Sequence, residues 1–276
     1  MNSKLLTILL FPFLLCIAHF LKAQTNPDMV CWESKQQSKV RFFELDSYQN
    51  IYTVDQNSTL SKLNLKGEVI ATFGFAKYGT LSSINVLNPL KIMLFYKDAG
   101  IILFLNDQLT PITQPFNLFN NNYQQISLAS FSNQNQIFLF DPVEMKLFIL
   151  DFFMREISQN QLYVPHFHPF KMISTNDKGL LFQDAENGIL FFDNFGTFQK
   201  QIPLHTPSEF QFVDNRICFL ENGIWNEYNV QKLDWNQFVI SELISNPIPF
   251  TQLKKGDRFL VGVDANGKLF ICSQNF

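Results

Sequence analysis

The sequence repeats one short pattern along most of its length: an apolar run, an acidic residue, a short turn and a second apolar run. The acidic residue recurs at Asp55, Asp98, Asp141, Asp184, Glu221 and Asp264. The successive spacings are 43, 43, 43, 37 and 43 residues. Six copies of a unit of about 40 residues indicate one repeat architecture rather than two unrelated domains.

Each copy contains short β-rich runs separated by turn residues. In the first copy these runs are RFFELD, IYTVD, LSKLNL and EVIATFGF, and such a series predicts a four-stranded antiparallel meander. The pairs Asn187-Gly188, Asn222-Gly223 and Asn266-Gly267 supply positive-φ residues for two-residue hairpin turns. No stretch has the pattern of a helix of ordinary length.

Repeated four-stranded units that cannot bury both faces alone predict an all-β fold, a six-bladed β-propeller that occupies residues 25–276 as a single domain. An open solenoid is the alternative, and it would show distinct capping repeats at both ends. The ends of this chain are instead complementary, because the sixth copy has three strands whereas residues 29–34 form a strand without a copy of its own. We therefore expect this first strand to pair with residues 267–274 and close the ring.

This pairing would place Cys31 and Cys272 on adjacent strands, close enough for a disulfide. In an oxidising compartment the bond would persist. Cys218 would then be a buried free thiol. The alternative is that all three are small core residues without a crosslink.

The segment DSYQNIYTVDQNSTLSKLNLKGEVI, residues 46–70, resembles one repeat of the NHL-type and related six-bladed propeller families. The resemblance implies the fold but not the function, because such propellers include receptors, scaffolds, lactonases and lyases. The similar lactonases hold calcium on the axis through Glu, Asn and Asp side chains. Here the residues near the starts of the inner strands offer no such set: Ser82, Ser83, Ser127, Ser130, Met172, Phe210 and Leu253.

Residues 1–24 have the features of a secretory signal peptide: a basic Lys4, an apolar run over residues 5–20 and a polar end, LKAQ. A transmembrane helix is the alternative, although the run barely reaches the necessary length. A lipoprotein signal at Cys16 is disfavoured because Leu15 is not a small residue. The KAQ ending resembles signal peptides of Gram-negative bacteria that also possess type 9 secretion machinery. We therefore expect an exported protein, periplasmic or on the cell surface and associated with the outer membrane.

The composition excludes some partners. Only 16% of the residues are charged and the net charge is −3, so there is no basic surface for nucleic acid or an anionic membrane. The chain contains 32 Phe, but after the signal peptide no apolar run is long enough to span a bilayer. These Phe residues are expected in the core, and no transmembrane segment is expected after cleavage.

The histidines His166, His168 and His205 lie in two successive connectors between copies. Connectors at the same rim could bring three imidazoles together to bind zinc or another divalent ion. The alternative is three loop histidines with unrelated hydrogen bonds. The repeated acids are better explained as turn residues whose carboxylates accept backbone N–H bonds.

Two functions follow from the sequence. The first is a non-enzymatic binding platform without a cofactor, a subunit or accessory of an outer-membrane or cell-surface protein complex. Its contact loops would be residues 120–124 and 165–170, with the aromatic residues Phe119, Tyr123, Phe167 and Phe170. The second is a lactonase-like propeller hydrolase or lyase with an axial divalent metal.

Overall fold

The computed structural model describes residues 29–74, 76–174, 179–206 and 210–274. The expected signal peptide, residues 1–24, lies outside these ranges. The described residues form six four-stranded antiparallel sheets, which are the blades of a β-propeller, and the predicted fold class is confirmed. None of the described helices has the length and apolar character needed to cross a membrane.

The strands follow one another through the blades in chain order. Blade 1 contains β2 (Val40–Leu45), β3 (Ile51–Asp55), β4 (Leu60–Leu63) and β5 (Val69–Phe73). Blade 2 contains β6 (Ser83–Asn85), β7 (Ile92–Tyr96), β8 (Ile101–Leu105) and β9 (Phe116–Asn117). Blade 3 contains β10 (Leu128–Phe131), β11 (Gln136–Asp141), β12 (Lys146–Asp151) and β13 (Glu156–Gln161).

The remaining blades repeat this order. Blade 4 contains β14 (Pro169–Ser174), β15 (Leu180–Asp184), β16 (Gly188–Phe192) and β17 (Phe198–Ile202). Blade 5 contains β18 (Gln211–Val213), β19 (Arg216–Glu221), β20 (Ile224–Asn229) and β21 (Asp234–Val239). Blade 6 contains β22 (Phe250–Lys255), β23 (Phe259–Asp264), β24 (Leu269–Gln274) and β1 (Met29–Glu33). Short helices lie at Ala76–Tyr78, Phe119–Asn121 and Ile240–Leu243.

The core lies between the blades. All five residues of β7 and all five of β8 are buried, because both faces of each sheet pack against neighbouring blades. One cluster joins blades 1 and 2 through Tyr52, Val54 and Leu94. The second and third strands therefore have continuous apolar runs rather than the alternation of a sheet with one solvated face.

The ring closes through the first and last strands, as predicted. β1 pairs antiparallel with β24, and Cys31 lies directly opposite Cys272. The structure joins these two residues by a disulfide across 241 positions of sequence. Cys218 is a buried free cysteine.

Most turns follow one design, in which a carboxylate or amide oxygen accepts backbone N–H groups two and three or four residues later. Four of the repeated acids act in this way: Asp55, Asp141, Asp184 and Asp264. The prediction is wrong for Asp98 and Glu221, to whose carboxylates no described backbone N–H donates. Asp98 lies inside its turn, and Glu221 precedes the two-residue turn Asn222-Gly223, in which both φ angles are positive. Of the three Asn-Gly pairs, the other two have a positive φ only at the glycine.

Candidate functional site

The structure does not bring the three histidines together as a metal site. The described residues include all three, yet they contain no group of three His, Cys, Asp or Glu side chains placed to hold a metal ion. The His166 carbonyl accepts a hydrogen bond from Asn187 Nδ2 at 3.1 Å, and the His168 N–H donates to Asp184 Oδ2. Both hydrogen bonds are made by the backbone of the histidines. They hold the connector in place and do not orient the imidazole rings toward a shared metal position.

Two of the four predicted contact aromatics are held by the protein itself. Phe167 is buried, and its ring centroid lies 5.5 Å from that of Phe140 and 5.3 Å from that of Phe182. It is therefore a core residue and not a contact residue. Tyr123 is half-buried and donates from its hydroxyl to Glu156 at 2.9 Å. Burial first, and then this hydrogen bond, raise the pKa of Tyr123.

The other two predicted aromatics remain accessible. Phe119 is 38% exposed, and its ring lies so close over Gly100 that a Cβ there would be 2.7 Å from it. Gly100 also has a φ of 61°, so the sequence allows only glycine beneath this ring. Phe170 is 54% exposed and lies at the central channel.

The inner strands surround a channel of about 780 Å³ on the propeller axis. All of the residues expected near the starts of the inner strands line it except Leu253, which is buried between blades 5 and 6. The sequence reasoning missed all but Ser130 of a second level of polar residues further along these strands. Each of these residues lies opposite the residue that is three positions before the last residue of the second strand in its own blade. They are Glu44, Asn85, Ser130, Gln211 and Lys254.

These polar residues link neighbouring blades around the channel. Asn85 Nδ2 donates to Ser130 Oγ at 3.1 Å between blades 2 and 3. Lys254 Nζ lies 2.5 Å from Glu44 Oε2 between blades 6 and 1. The Gln211 side-chain amide accepts a hydrogen bond from the Lys255 N–H at 2.9 Å and donates one to the Lys255 carbonyl at 2.8 Å. It thus pairs with the Lys255 backbone as a neighbouring strand would, and it links blades 5 and 6.

A buried acid lies in the wall between blades 5 and 6. Glu227 accepts from Lys255 Nζ at 2.6 Å and from Trp225 Nε1 at 3.0 Å. Cys218 is opposite Glu227 on the paired strand. Burial and the nearby Glu227 carboxylate raise the pKa of the Cys218 thiol to about 12, so this cysteine is not a nucleophile at neutral pH.

Three exposed apolar side chains lie along the outer edge of blade 3, and no predicted site included them. Phe153, Ile157 and Phe195 are 75%, 57% and 69% exposed, and we call them the blade-3 stripe. Phe153 lies in the turn before β13, Ile157 is the second residue of β13, and Phe195 lies in the turn between β16 and β17 of blade 4. Asn160 Nδ2, near the end of β13, donates to the Phe195 carbonyl, which places Phe195 there. The three residues from Ile157 to Asn160 span about 10 Å of strand, so the stripe extends from the turn before β13 to a point near its end.

Blades 1 and 2 have polar residues at the positions that correspond to the two Phe residues. Phe153 and Phe195 each lie two residues after the Asp that leads the turn, and each donates its N–H to that Asp. The equivalent turns of blades 1 and 2 have Lys66 and Gln108, which donate to Asn64 and Asn106 in the same way. The turn therefore has no structural need for an aromatic side chain at this position.

The fold defines a β-propeller protein. Its candidate functional features are the exposed aromatic side chains at turns and the polar channel on the axis. No protein-family model and no curated protein matches the chain. Solved structures do match, and they show the fold alone because identity is low. The Neurospora crassa Pan2 WD40 domain is 7% identical at a TM-score of 0.65, with 91% of this chain and 97% of that chain covered.

Bacterial structures match over a similar extent. A virginiamycin B lyase from Staphylococcus aureus, solved with quinupristin, is 9% identical at a TM-score of 0.60 and covers 89% of this chain and 98% of that one. A putative exported protein from Bacteroides fragilis is 12% identical at a TM-score of 0.58, with coverages of 92% and 98%. These likenesses span nearly whole chains, so the propeller is the common unit.

Proposed function

We propose that this protein is an exported, non-enzymatic protein-binding platform, a subunit or accessory of a Gram-negative outer-membrane or cell-surface complex. The observation that carries this proposal is the blade-3 stripe. Its Phe residues occupy turn positions where the same protein uses Lys66 and Gln108 elsewhere, so folding does not account for them. Exposed aromatic side chains next to neutral polar ones are typical of protein interfaces.

The surroundings of the stripe suit a protein partner. β13 has the sequence EISQNQ and its charged residue is Glu156. Arg155 lies 5.4 Å from the centre of the Phe153 ring and pairs with Asp151. A partner that covers the stripe would therefore desolvate this ion pair and Glu156, whereas the rest of β13 is uncharged and adds little to the cost of association. The strand is also the free edge of its sheet, and its backbone can add hydrogen bonds to the apolar contacts.

The disulfide and the N-terminal pattern support export. A bond between Cys31 and Cys272 persists in an oxidising compartment and is rare in a reducing one. Residues 1–24 have the order of basic, apolar and polar segments that directs secretion. The KAQ ending supports a host with type 9 secretion machinery, and an outer-membrane complex of such a host is the setting we propose.

The alternative, a lactonase-like hydrolase or lyase, has less support from the channel chemistry. An axial calcium ion requires six or more oxygen ligands, largely carboxylates and carbonyls. Glu44 is the acid at the polar level of the channel, and it is paired with Lys254. Asn85 and Gln211 each use one oxygen lone pair on a backbone N–H, so each could supply one further oxygen contact, which falls short of the set that calcium requires.

The test is a crosslinked pull-down of the tagged protein from outer-membrane extracts. A double variant, Phe153→Lys with Phe195→Gln, carries the residue types of the equivalent turns of blades 1 and 2 and should fold as the wild type does. We expect it to lose the partner that the wild type recovers. The control is Val143→Lys with Tyr163→Gln, which changes two other exposed side chains of blade 3 and should retain the partner.

Two outcomes would contradict the proposal. If the control variant alone loses the partner, the contact surface is elsewhere. If the wild-type protein is recovered only as a free periplasmic monomer, the subunit function is wrong.

A further inference from the structure

We propose that the axial channel binds an uncharged oligosaccharide. The volume of about 780 Å³ lies within the range of about 300–1,000 Å³ that is typical of small-molecule sites. The channel is lined by residues from every blade. It is independent of the blade-3 stripe, which lies at the outer edge of blade 3 and on the neighbouring turn of blade 4.

The polar groups of the wall can both donate and accept hydrogen bonds, as sugar hydroxyls do. Asn85 uses one amide hydrogen on Ser130 and one lone pair on the Leu87 N–H, which leaves it a further hydrogen and a further lone pair. Gln211 likewise uses one of each on Lys255. Ser127 lines the channel, and its Oγ is buried without a hydrogen-bond partner among the described residues, so the hydroxyl meets a ligand only after the side chain rotates. These groups match a ligand that presents many hydroxyl groups.

Several of the charged groups near the wall are engaged with other side chains. Glu44 pairs with Lys254 at 2.5 Å, and Lys255 pairs with Glu227 at 2.6 Å. Asp257 accepts a hydrogen bond from Gln49 at 3.0 Å. A charged ligand such as a nucleotide is usually held by cationic side chains that are available for it. Lys97, Lys171 and Asp214 also line the channel, but they come from three different blades, so we expect neutral polar groups to make most of the contacts with a ligand.

Aromatic rings provide apolar faces between the polar groups. Phe42, Phe170 and Phe212 come from three different blades and line the channel, and Phe170 is exposed there. A sugar ring has hydroxyls at its edge and C–H groups on its faces, so it can contact both kinds of wall at once. Mixed apolar and precisely placed polar groups are the usual composition of a binding pocket.

The test begins with a microarray of neutral oligosaccharides and continues with calorimetry on the oligosaccharide that binds best. We expect Asn85→Leu to weaken this binding by about tenfold, or about 1.4 kcal/mol. Ser127→Ala removes only a hydroxyl without a protein partner, so it should leave the thermal unfolding temperature unchanged and still weaken binding several-fold. Gln108→Leu, on an exposed turn outside the channel, is the matched control and should bind as the wild type does.

The proposal is overturned if no neutral oligosaccharide binds at about 1 mM, a Kd that corresponds to about −4 kcal/mol. It is also overturned if only charged glycans or peptides bind. Binding that Asn85→Leu and Ser127→Ala both leave unchanged would place the ligand outside the channel and overturn it as well.

Discussion

Cys218 and Glu227 show how single residues are fixed between two blades. Cys218 is 3% exposed and lies opposite Glu227. Glu227 is as deeply buried, but it is a carboxylate, and it is stabilised by Lys255 and Trp225. We therefore expect the Cys218 thiol to be unreactive, and we expect replacement of the Glu227 carboxylate to destabilise the fold.

The thiol of Cys218 should be unreactive in the folded protein. Its pKa of about 12 leaves almost no thiolate at pH 8, and thiolate is the form that is alkylated. Mass spectrometry after iodoacetamide treatment without reductant should show no label in the folded protein and one label after unfolding. Three labels after unfolding would mean that Cys31 and Cys272 are not joined.

Glu227→Gln should lower the free energy of unfolding by about 2–3 kcal/mol, below the 3–5 kcal/mol of a fully buried pair because the Lys255 side chain is 46% exposed. The change leaves Lys255 without its carboxylate and weakens the hydrogen bond from Trp225. Urea unfolding measures the difference. Glu186→Gln, at an exposed position, is the control and should change stability by less than about 0.5 kcal/mol. Equal effects of the two substitutions would contradict this account.

At the scale of the structural element, the turn led by a carboxylate recurs through the propeller. Asp264 accepts the N–H groups of Asn266 and Lys268 at 2.9 and 2.8 Å. Asp151 accepts those of Phe153 and Arg155 at 2.8 and 3.0 Å. These bonds satisfy backbone donors that the sheet ladder leaves free at each turn.

Asp264→Ala should therefore lower the free energy of unfolding by about 1–2 kcal/mol, the value of two such hydrogen bonds. Asp98→Ala is the matched substitution, because Asp98 has the same place in the repeat spacing but accepts none of these bonds among the described residues. It should have little effect in the same denaturation experiment. A loss of stability at Asp98 as large as that at Asp264 would show that the acids act in another way.

The same turns predict a dependence of stability on pH. The pKa of Asp151 is lowered, mainly by the hydrogen bond from the Arg155 N–H. Burial acts to raise the pKa of Asp264, but the hydrogen bonds from Lys268 and Asn266 outweigh it and the pKa is lowered. A lowered folded-state pKa contributes stability above the unfolded value of about 3.9, and this stability is lost as the pH falls through the folded-state value.

Urea midpoints should accordingly decrease as the pH is lowered from about 5 to 3. Asp264→Ala should show a shallower decrease than the wild type, because one of the titrating groups is absent. Parallel curves for the two proteins would contradict the role assigned to Asp264.

The repeat frame was predictable because strand length, turn chemistry and burial all have the same period. The prediction of the repeat was wrong where two of these signals no longer have the same period. In blade 4, Gly188 has a positive φ and follows the turn acid Asp184 by four positions. In blade 2, Gly100 also has a positive φ, but the residue four positions before it is Tyr96. Tyr96 therefore occupies the structural position of the turn acid, which the spacing had assigned to Asp98. A spacing of 43 residues could be kept by coincidence, and only the turn geometry reveals the slip.

The candidate surfaces were harder to predict than the fold. Phe167 lies in a polar, histidine-rich connector, and nothing in its sequence neighbourhood indicates that the ring turns into the core between blades 3 and 4. The blade-3 stripe did leave a signal, since Phe153 and Phe195 each follow a turn Asp by two positions where other repeats have Lys or Gln. The polar level of the channel depends on register across five blades, which a single repeat does not show.

At the scale of the whole molecule, the Cys31–Cys272 disulfide closes nearly the entire chain into one loop. In the chain-entropy model such a loop contributes about 5–6 kcal/mol. Cys31→Ser should therefore lower the unfolding temperature of the oxidised protein. Reductant should lower it for the wild type but not for the variant, and scanning calorimetry with and without reductant measures both. A wild-type protein that reductant leaves unchanged would show that the crosslink does not contribute.

The pairing of β1 with β24 also has a consequence for the order in which the molecule is made. A ribosome releases β1 among the first residues of the fold, but its partner strand is the last one, 241 positions later at the paired cysteines. In the exported protein that we propose, folding follows secretion: five blades can assemble from neighbouring segments as the chain emerges, whereas the sixth has to wait for the full chain. Closure therefore joins the most distant segments and is expected to be the slow step. Until then the unfinished blade 6 leaves open sheet edges, which gives chaperones a defined interval in which to hold the chain.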